Sequence, residues 1–271
     1  MAELPEIMRL AGQMHRELKG KVIRNIDLCQ EKCSNVSGEE LGRRTTGARI
    51  ASVTHRGKWV FTHLDNGETM LLSLGMGGDV IFFTDEAQLP PKFQVKVTFA
   101  DNTGYTVKFW WFGKFLLASH AELEKEPNTS AIAIDPLDKA FSFEHFSELL
   151  TGRKIQIKTF LMDQKNIGGI GNMYMHDILF KGGIHPQRKI SDMSKNDVAQ
   201  LYNAMIDVLT FSVKKGAFAL ETDFYGGKGN YSPADFLVGY RENQPCPECQ
   251  EKIVVIKTGS TSSYICPKCQ K

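Results

Sequence analysis

The chain has 271 residues, of which 42% are hydrophobic and 24% are charged, as is typical of a globular protein large enough for two domains. It contains no run of about 18 apolar residues and does not open with a basic segment followed by an apolar one. We therefore expect no membrane span, no secretory signal and a cytoplasmic location. The net charge of +2 excludes no class of partner by itself.

The first predicted element is a helix over residues 5–18, where apolar side chains recur at helical spacing. Pro5 suits the first helical position, Glu6 suits the first turn, and Gly20 ends the helix. From residue 22 to about residue 117, short β-rich runs such as WVFTHL and FQVKVTFA alternate with the turn signals DNG, GMGG and DNTG. This pattern predicts an antiparallel β-sandwich behind a leading helix.

The second half of the chain is predicted to be mostly helical, so the fold class is α+β. The segment EKEPNTSAIAID has no periodic spacing of apolar residues and is interpreted as a linker. The segment ETDFYGGKGNYSPADF is rich in glycine and is interpreted as a mobile loop. The predicted boundaries are a first domain at 1–123, a linker at 124–134, a helical domain at 135–235 with the mobile loop near 221–235, and a cysteine-rich module at 236–271.

Four of the six cysteines follow a C-x2-C-x16-C-x2-C pattern within the last 26 residues: Cys246, Cys249, Cys266 and Cys269. Two tight turns that each offer two thiolates are typical of one tetrahedral Zn²⁺. Because four protein ligands leave no open position, we expect one structural Zn²⁺ that holds a small β-hairpin. Cys29 and Cys33 are interpreted as ordinary thiols.

The stretch IGGIGNMYMHDILF contains Gly168, Gly169 and Gly171, followed by Asn172, which can cap the next helix. Bare amides at a helix start bind phosphate, but the same glycines also permit a plain helix-packing contact. Residues 151–195 contain eight Lys or Arg but only three Asp. The basic residues include Lys158, Lys165 and Lys181. This excess of positive charge favours binding to a polyanion. It does not decide whether the glycines bind phosphate or only permit helix packing.

Three further features have an ordinary and a functional interpretation. Lys58 follows a glycine at the start of a strand, where a lysine is usually a solvated surface charge. Met76 lies on a glycine-flanked loop, and Trp111 and Phe112 lie at the end of a strand. Such apolar residues usually belong to a core, but on exposed loops they can wedge between stacked bases.

Together these pieces resemble the formamidopyrimidine-DNA glycosylase and endonuclease VIII family of base-excision repair enzymes. The resemblance runs through ELPE, GK, LGM, FG, DPL, DQ…GIGNMY…ILF…GIHP and YRENQPCPEC…YICPKCQ, and so covers nearly the whole chain. It implies an N-terminal β-sandwich, a helix–two-turns–helix domain and a zinc finger, with DNA in the cleft between the halves. It also implies double-stranded DNA with damaged bases or abasic sites as the partner, a monomer, and a nucleoid-associated location if the source is bacterial.

The resemblance implies a DNA glycosylase with AP lyase activity that removes oxidised bases through a Schiff base. In the family, an N-terminal proline attacks the sugar C1′ and the neighbouring glutamate moves protons. Here these positions are Ala2 and Glu3, once Met1 is removed. An α-amine, with a reference pKa of about 7.7–8, is partly neutral at cellular pH and can form an imine. Lys58 is the fallback nucleophile.

The residues implied to contact DNA are Met76, Trp111, Phe112, Lys158, Asn172, Arg241 and Thr261. Several positions depart from the family pattern: Ala2 replaces proline, Thr261 and Trp111 replace arginines, Ser73 replaces histidine, and Asp177 replaces glutamate. The lost cations should weaken phosphate binding and its salt dependence. Two hypotheses stay open at this point: an active glycosylase and lyase, or a catalytically impaired protein that binds damaged or abasic DNA. The segment 221–231 is expected to select the damaged base.

Overall fold

A computed structural model describes residues 2–271 except for the side chain of Gln88. The chain forms two compact units. Unit 1 comprises residues 2–131 and Gly216–Asn230, and unit 2 comprises Ile132–Lys215 and Tyr231–Lys271. Among the described residues, no helix has both the length and the apolarity needed to cross a membrane.

Unit 1 contains three helices and eight strands. The helices are α1 (Leu4–Leu18), α2 (Gly38–Thr45) and α3 (His120–Leu123). The strands are β1 (Ile23–Leu28), β2 (Ile50–Arg56), β3 (Trp59–Leu64), β4 (Glu68–Ser73), β5 (Gly78–Phe83), β6 (Val95–Phe99), β7 (Gly104–Phe109) and β8 (Lys114–Ser119). Helix α1 begins one residue before the predicted start and ends at the predicted residue.

The strands of unit 1 form two antiparallel four-stranded sheets, with the orders β1-β6-β7-β5 and β2-β3-β4-β8. Their apolar side chains, together with one face of α1, form a continuous core that includes Ile7, Met14, Val60, Val97 and Phe115. In β1 and β2 the buried residues, Ile23 with Ile26 and Ile50 with Val53, are three positions apart rather than two, because each strand has a register shift near its start. The β-sandwich prediction is confirmed.

Residues 216–230, which the sequence analysis assigned to the helical domain, belong to unit 1 instead. Phe224 is fully buried in the core of unit 1, where its ring packs 5.5 Å from that of Phe82 and 5.9 Å from that of Tyr105. Asp223 accepts hydrogen bonds from Arg9 and from Gln13 of α1. One buried aromatic ring and a buried carboxylate therefore fasten this segment to the sandwich.

Unit 2 contains four helices and a β-hairpin. The helices are α4 (Phe143–Leu150), α5 (Ile157–Met162), α6 (Asn172–Lys181) and α7 (Lys195–Lys214), and the hairpin pairs β9 (Val254–Thr258) with β10 (Thr261–Ile265). Eight of the ten residues of α6, from Met173 to Phe180, are buried. Helix α6 is therefore the centre of unit 2, with α7 on one side and β10 on another.

The side chain of Gln164 holds the last part of the connection between α5 and α6, residues 163–171. Gln164 Oε1 accepts a hydrogen bond from Gly169 N at 2.8 Å, and Gln164 Nε2 donates to Ile170 O at 2.9 Å. Gly169 has φ of +91°, a conformation that glycine adopts without a steric penalty. These bonds fix the backbone that leads into α6.

Candidate functional site

The start of the chain is ordered and buried. Glu3 is the N-cap of α1 and is 1% exposed, and Ala2 is 5% exposed. The Glu3 side chain accepts from Glu6 N, while Glu6 Oε2 accepts from Glu3 N at 2.9 Å, which is a reciprocal capping box. Glu6 Oε1 accepts from Phe218 N at 3.0 Å. An acid is thus fixed beside Ala2. Met1 lies outside the described residues.

Lys58 lies in the two-residue turn that joins β2 to β3. Arg56 and Trp59 are the closing pair of this hairpin, and Gly57, the first turn residue, has φ of +55°. A glycine with positive φ at this position is typical of the tight turns that match the strand twist. Lys58 is half-buried. The hairpin therefore gives this lysine a defined position in unit 1.

Met76, Trp111 and Phe112 lie together on two adjoining loops of unit 1. Met76 N donates to Trp111 O at 2.9 Å, and the three side chains are 48%, 67% and 80% exposed. Trp110, which the sequence analysis did not select, is 52% exposed and belongs to the same group. The four side chains form an apolar projection rather than part of a core, and we call it the aromatic edge.

The backbone beneath the aromatic edge is tightly constrained. A Cβ atom on Gly75 would lie 2.3 Å from Trp111 O, and Gly75 has φ of +58°, so only glycine fits there. Phe112 has φ of +58° as well, which is strained for an aromatic residue. A strained residue with an exposed ring points to a role outside folding.

Asn172 is the first residue of α6, and its neighbour one turn later is His176. The side chain of Asn172 lies 3.2 Å from His176 Nε2, and His176 Nδ1 accepts from Tyr264 N at 3.4 Å. Burial, with a contribution from the nearby Lys158 charge, lowers the pKa of His176 to about 3. The start of α6 is thus connected through a neutral imidazole to the β9–β10 hairpin.

Lys158 lies in α5 and is 4% exposed. Its Nζ donates to Thr258 Oγ1, Thr261 Oγ1 and Ser263 Oγ at 2.7–2.8 Å, and to Ser262 O at 3.0 Å. Burial lowers the pKa of this lysine to about 8. Four neutral oxygens therefore surround one ammonium group.

Lys158 and Thr261 line one cavity of about 380 Å³ in unit 2. The turn at Gly259 and Ser260 forms part of the same wall, and so does the acidic Asp163. Arg241 has a different surrounding: its Nη1 donates to Phe236 O and Leu237 O, and its Nε donates to Gln244 Oε1 at 2.9 Å. Lys158 and Thr261 are thus brought together, whereas Arg241 braces the segment before the hairpin.

Asp177, in the middle of α6, holds that same segment. Its two carboxylate oxygens accept from Leu237 N, Val238 N and Gly239 N, each at 2.9 Å. A shorter acid than the glutamate implied by the resemblance therefore still bonds three consecutive backbone amides. Its contacts are structural, and they position the start of the cysteine-rich module.

The four cysteines Cys246, Cys249, Cys266 and Cys269 form one cluster, in which all Sγ atoms lie within 4.8 Å of one another. The Sγ atoms of Cys246 and Cys269 are 3.9 Å apart, and those of Cys249 and Cys266 are 3.4 Å apart. A disulfide requires about 2.05 Å, whereas four sulfurs at about 2.3 Å from one ion lie about 3.8 Å apart. The cluster fits a single tetrahedral metal ion.

Comparison with known proteins identifies the family. Residues 1–110 match the formamidopyrimidine-DNA glycosylase N-terminal domain, and residues 132–223 match the formamidopyrimidine-DNA glycosylase H2TH domain. The formamidopyrimidine-DNA glycosylase of Desulforamulus reducens is 31% identical over 278 residues, which cover 100% of this chain and 99% of the relative. The chain belongs to the formamidopyrimidine-DNA glycosylase family. The enzyme of that name from Marinomonas sp. is 32% identical over the full length of both chains.

Solved structures agree on the fold. The Lactococcus lactis Fpg in complex with abasic-site DNA aligns with a TM-score of 0.90 and 22% identity over 100% of both chains. The Lactococcus lactis Fpg in complex with FAPY-dG-containing DNA aligns equally well, over 99% of this chain. Members of the family are base-excision repair DNA glycosylases with AP lyase activity, and this chain has both of the domains whose family models match.

Some residues of the site were not predictable from the sequence. Gln164 lies within the quoted DQ motif, so the sequence marked this residue. The motif did not predict that its side chain bonds the backbone of residues 169 and 170. Trp110 adjoins Trp111, yet nothing in the chain shows that both rings are exposed. His176 lies within the quoted stretch IGGIGNMYMHDILF, but no pattern in the sequence indicates its contact with Tyr264, 88 positions away.

Proposed function

We propose that this chain removes damaged bases from double-stranded DNA and then cuts the strand, with the α-amine of Ala2 as the nucleophile. The neutral amine attacks C1′, the glycosidic bond breaks, and the departing base takes the electron pair and a proton. Of the two protons that the amine loses, one leaves with the base, and Glu3 transfers the other to the ring oxygen as the sugar opens, which leaves an imine between Ala2 and C1′. Loss of a C2′ proton then expels the 3′ phosphate, and water releases the sugar fragment.

One observation carries this proposal: Glu3 is buried and held by the capping box directly beside Ala2. An acid in a fixed position next to an α-amine supplies the two groups that the reaction needs. The amino end of α1 also contributes positive potential, which favours the neutral amine and attracts phosphate.

The remaining predicted residues are proposed to bind the DNA. Lys58, Lys158 and Arg241 supply positive charge, and Asn172 supplies a neutral donor at the start of α6. Met76, Trp111 and Phe112 fill the space left by a displaced nucleotide, for which the exposure of the aromatic edge is the support. Thr261 contributes a hydroxyl group beside Lys158.

The metal of the cysteine cluster is proposed to be one structural Zn²⁺. Four thiolates and a closed tetrahedral site are the arrangement that this ion prefers. When bound, it holds β9 and β10 together in a module with little apolar core of its own. We infer a monomer located in the cytoplasm, associated with the nucleoid if the source is bacterial.

Borohydride trapping on an abasic-site duplex tests the proposed nucleophile. We expect a covalent protein–DNA product whose attachment maps by mass spectrometry to Ala2, after confirmation that the mature chain begins there. Trapping should persist in Lys58→Ala and be lost after selective acetylation of the α-amine. Trapping that survives acetylation but disappears in Lys58→Ala would move the chemistry to Lys58.

The choice of lesion is tested in parallel with duplexes that carry oxidised purines, oxidised pyrimidines or abasic sites. Base release from at least one of the oxidised duplexes is expected. Absence of both trapping and base release, with tight binding to the same duplexes, would instead support the hypothesis of a non-catalytic damage-binding protein.

A further inference from the structure

Lys114 is a half-buried lysine at the base of the aromatic edge, and the proposed function does not use it. It is the first residue of β8 and follows Phe112 by two positions. Its partner on the neighbouring strand is Ser73, the last residue of β4, and the loop that carries Met76 begins directly after Ser73. Lys114 therefore lies where both loops of the aromatic edge leave the same sheet.

The alternation of side chains along β8 places Lys114 on the outer face of this sheet. Phe115 and Leu117 belong to the main core of unit 1, whereas Leu116 and Ala118 belong to a separate apolar cluster. Because successive side chains of a strand point to opposite faces, Lys114 points to the same side as Leu116 and Ala118. The lysine is thus directed away from the main core.

The ammonium group of Lys114 is held in place by a neutral oxygen. Its Nζ donates to Asn128 Oδ1 at 2.5 Å. The Asn128 amide has a defined orientation, because its Nδ2 donates to Glu126 Oε1 at 2.7 Å and a carboxylate only accepts. Glu126 is 9% exposed and also accepts from Asn128 N at 2.8 Å and from Thr129 Oγ1 at 3.0 Å. A buried carboxylate therefore orients the amide, and the amide orients the lysine.

This arrangement positions the charge of Lys114 without neutralising it. Within the part of the chain that the structure describes, Lys114 forms no ion pair, and the bond to Asn128 is its one side-chain hydrogen bond. An ammonium group has three N–H donors, so two of them have no partner in the chain. The lysine is fixed in position and is still able to bind an anion.

Lys114 lines a cavity of about 690 Å³ in unit 1, together with Lys32 and Lys125. Neither of these two lysines forms an ion pair with any described residue. Both acids of the cavity wall are already engaged, since Glu122 pairs with an arginine outside the wall and Glu126 accepts the bonds given above. Three uncompensated positive charges thus face one cavity, which fits an anionic group.

We propose that Lys114 is a DNA-binding residue that holds a backbone phosphate of the duplex beside the aromatic edge. This rests on the proposed function, in which the aromatic edge fills the space of a displaced nucleotide. A duplex carries one phosphate charge for about every 1.7 Å of its axis, so a side chain that enters the base stack brings phosphates close to its own base. Because Lys114 is already positioned by Asn128, it loses little conformational freedom when a phosphate oxygen accepts its remaining N–H donors.

Removal of the charge tests this role on a duplex with a tetrahydrofuran abasic-site analogue, which does not react. Lys114→Met should bind about tenfold more weakly, as for one lost hydrogen bond to a charged group, and the slope of log affinity against log salt should fall by about one unit. Lys92→Met, at an exposed lysine of the same unit, lowers the net charge equally and should leave the slope unchanged. Equal slopes for the two variants would overturn the proposal.

An exchange across the sheet tests the position of the charge. Directly opposite residues have Cβ atoms about 4.5–5.5 Å apart on the same face, so a lysine at position 73 can reach the same phosphate. The variant Ser73→Lys/Lys114→Ser should therefore recover the slope that Lys114→Ser loses. No recovery, in a variant whose thermal unfolding midpoint is unchanged, would contradict a phosphate contact at this place.

Acetylation of lysines, followed by mass spectrometry, tests the contact in the unmodified chain and needs no variant to fold. Lys114 should lose most of its reactivity when the tetrahydrofuran duplex is bound, whereas Lys92 should keep its reactivity. Inorganic phosphate at the same ionic strength should give no protection, because the aromatic edge does not hold a free ion in place.

Two outcomes of this experiment would overturn the inference and leave the proposed function intact. Full reactivity of Lys114 in the bound complex would exclude it from the DNA interface, and protection by inorganic phosphate alone would assign the cavity to a small anion. Failure of the unmodified chain to bind the duplex or to be trapped on an abasic site would instead overturn the proposed function.

Discussion

The ammonium group of Lys158 lies 2.8 Å from the hydroxyl oxygen of Thr261. Thr261 is the hairpin position at which the family resemblance led us to expect an arginine. The positive charge near the hairpin is therefore not absent: it is supplied by α5 and is buried beneath the β9–β10 turn. This arrangement links the stability of the hairpin to the protonation of one lysine.

Lys158→Met should lower the slope of log affinity against log salt by about one unit, because it removes the positive charge that we propose to act on the DNA phosphates near the β9–β10 turn. Salt titrations on an abasic-site duplex measure this slope. Lys139→Met, which removes an exposed lysine of unit 2, is the matched control and should leave the slope unchanged. Equal slopes for both variants would show that Lys158 serves only the fold.

The same residue predicts a pH dependence of stability. The pKa of Lys158 is lowered to about 8, from 10.5, so between these values the folded chain has released a proton that the unfolded chain still binds. The free energy of unfolding should therefore rise with pH across this window relative to Lys158→Met. Urea unfolding of both proteins at several pH values measures it. A constant difference between the two would contradict the lowered pKa.

One Zn²⁺ per chain is expected from metal analysis of the purified protein. Cys266→Ser should lower the metal content and destabilise the hairpin, because the site then lacks one of four thiolates. Cys29→Ser is the control, since Cys29 is exposed and lies outside the cluster. A metal content well below one equivalent, with all four thiols of the cluster reactive, would refute the prediction.

Phe112→Gly should separate function from stability at the aromatic edge. Removing the ring should weaken binding to a lesion-containing duplex by roughly tenfold, as for one lost stacking contact, with less effect on undamaged duplex. Because Phe112 has φ of +58°, glycine also relieves backbone strain, so the variant should unfold no more easily than Phe112→Ala. Phe143→Ala, at an exposed ring of α4, serves as the control. Equal losses on damaged and undamaged DNA would argue against a wedge.

Ala2→Pro should cut an abasic strand faster than the unmodified chain. A secondary amine gives an iminium that is always charged, and this is a better electron sink for elimination than an imine that can lose its proton. Single-turnover cleavage assays measure the rate, with mass spectrometry to verify removal of Met1 from both proteins. An unchanged or lower rate would show that elimination from the imine does not limit cleavage.

Glu3→Gln should abolish base release but leave some cutting at preformed abasic sites, because only the first step must expel a base. The glutamine oxygen can still accept from Glu6 N, so the cap of α1 and the thermal unfolding midpoint should change little. Base release at the rate of the unmodified chain would remove Glu3 from the mechanism.

Local patterns in the sequence were sufficient to predict the secondary-structure elements and the cysteine cluster. The leading helix, the β-sandwich and the cysteine cluster were predicted from features that act over a few residues: apolar spacing, turn chemistry and paired thiols. Met76, Trp111 and Phe112 were selected as well, although their exposure was left open. These features succeed because secondary structure and metal-ligand spacing are determined largely by neighbours along the chain.

The sequence by itself therefore determined the family, the order of elements and the residue types available for chemistry. Only the tertiary structure decided that residues 216–230 belong to unit 1 through Phe224, that Lys158 is buried beside Thr261, and that His176 connects Asn172 to Tyr264. The contacts of Phe224 with Phe82, of Lys158 with Thr261 and of His176 with Tyr264 each join residues more than 80 positions apart. The burial and hydrogen bonding of a polar group depend on every segment packed around it, and no local pattern encodes that arrangement.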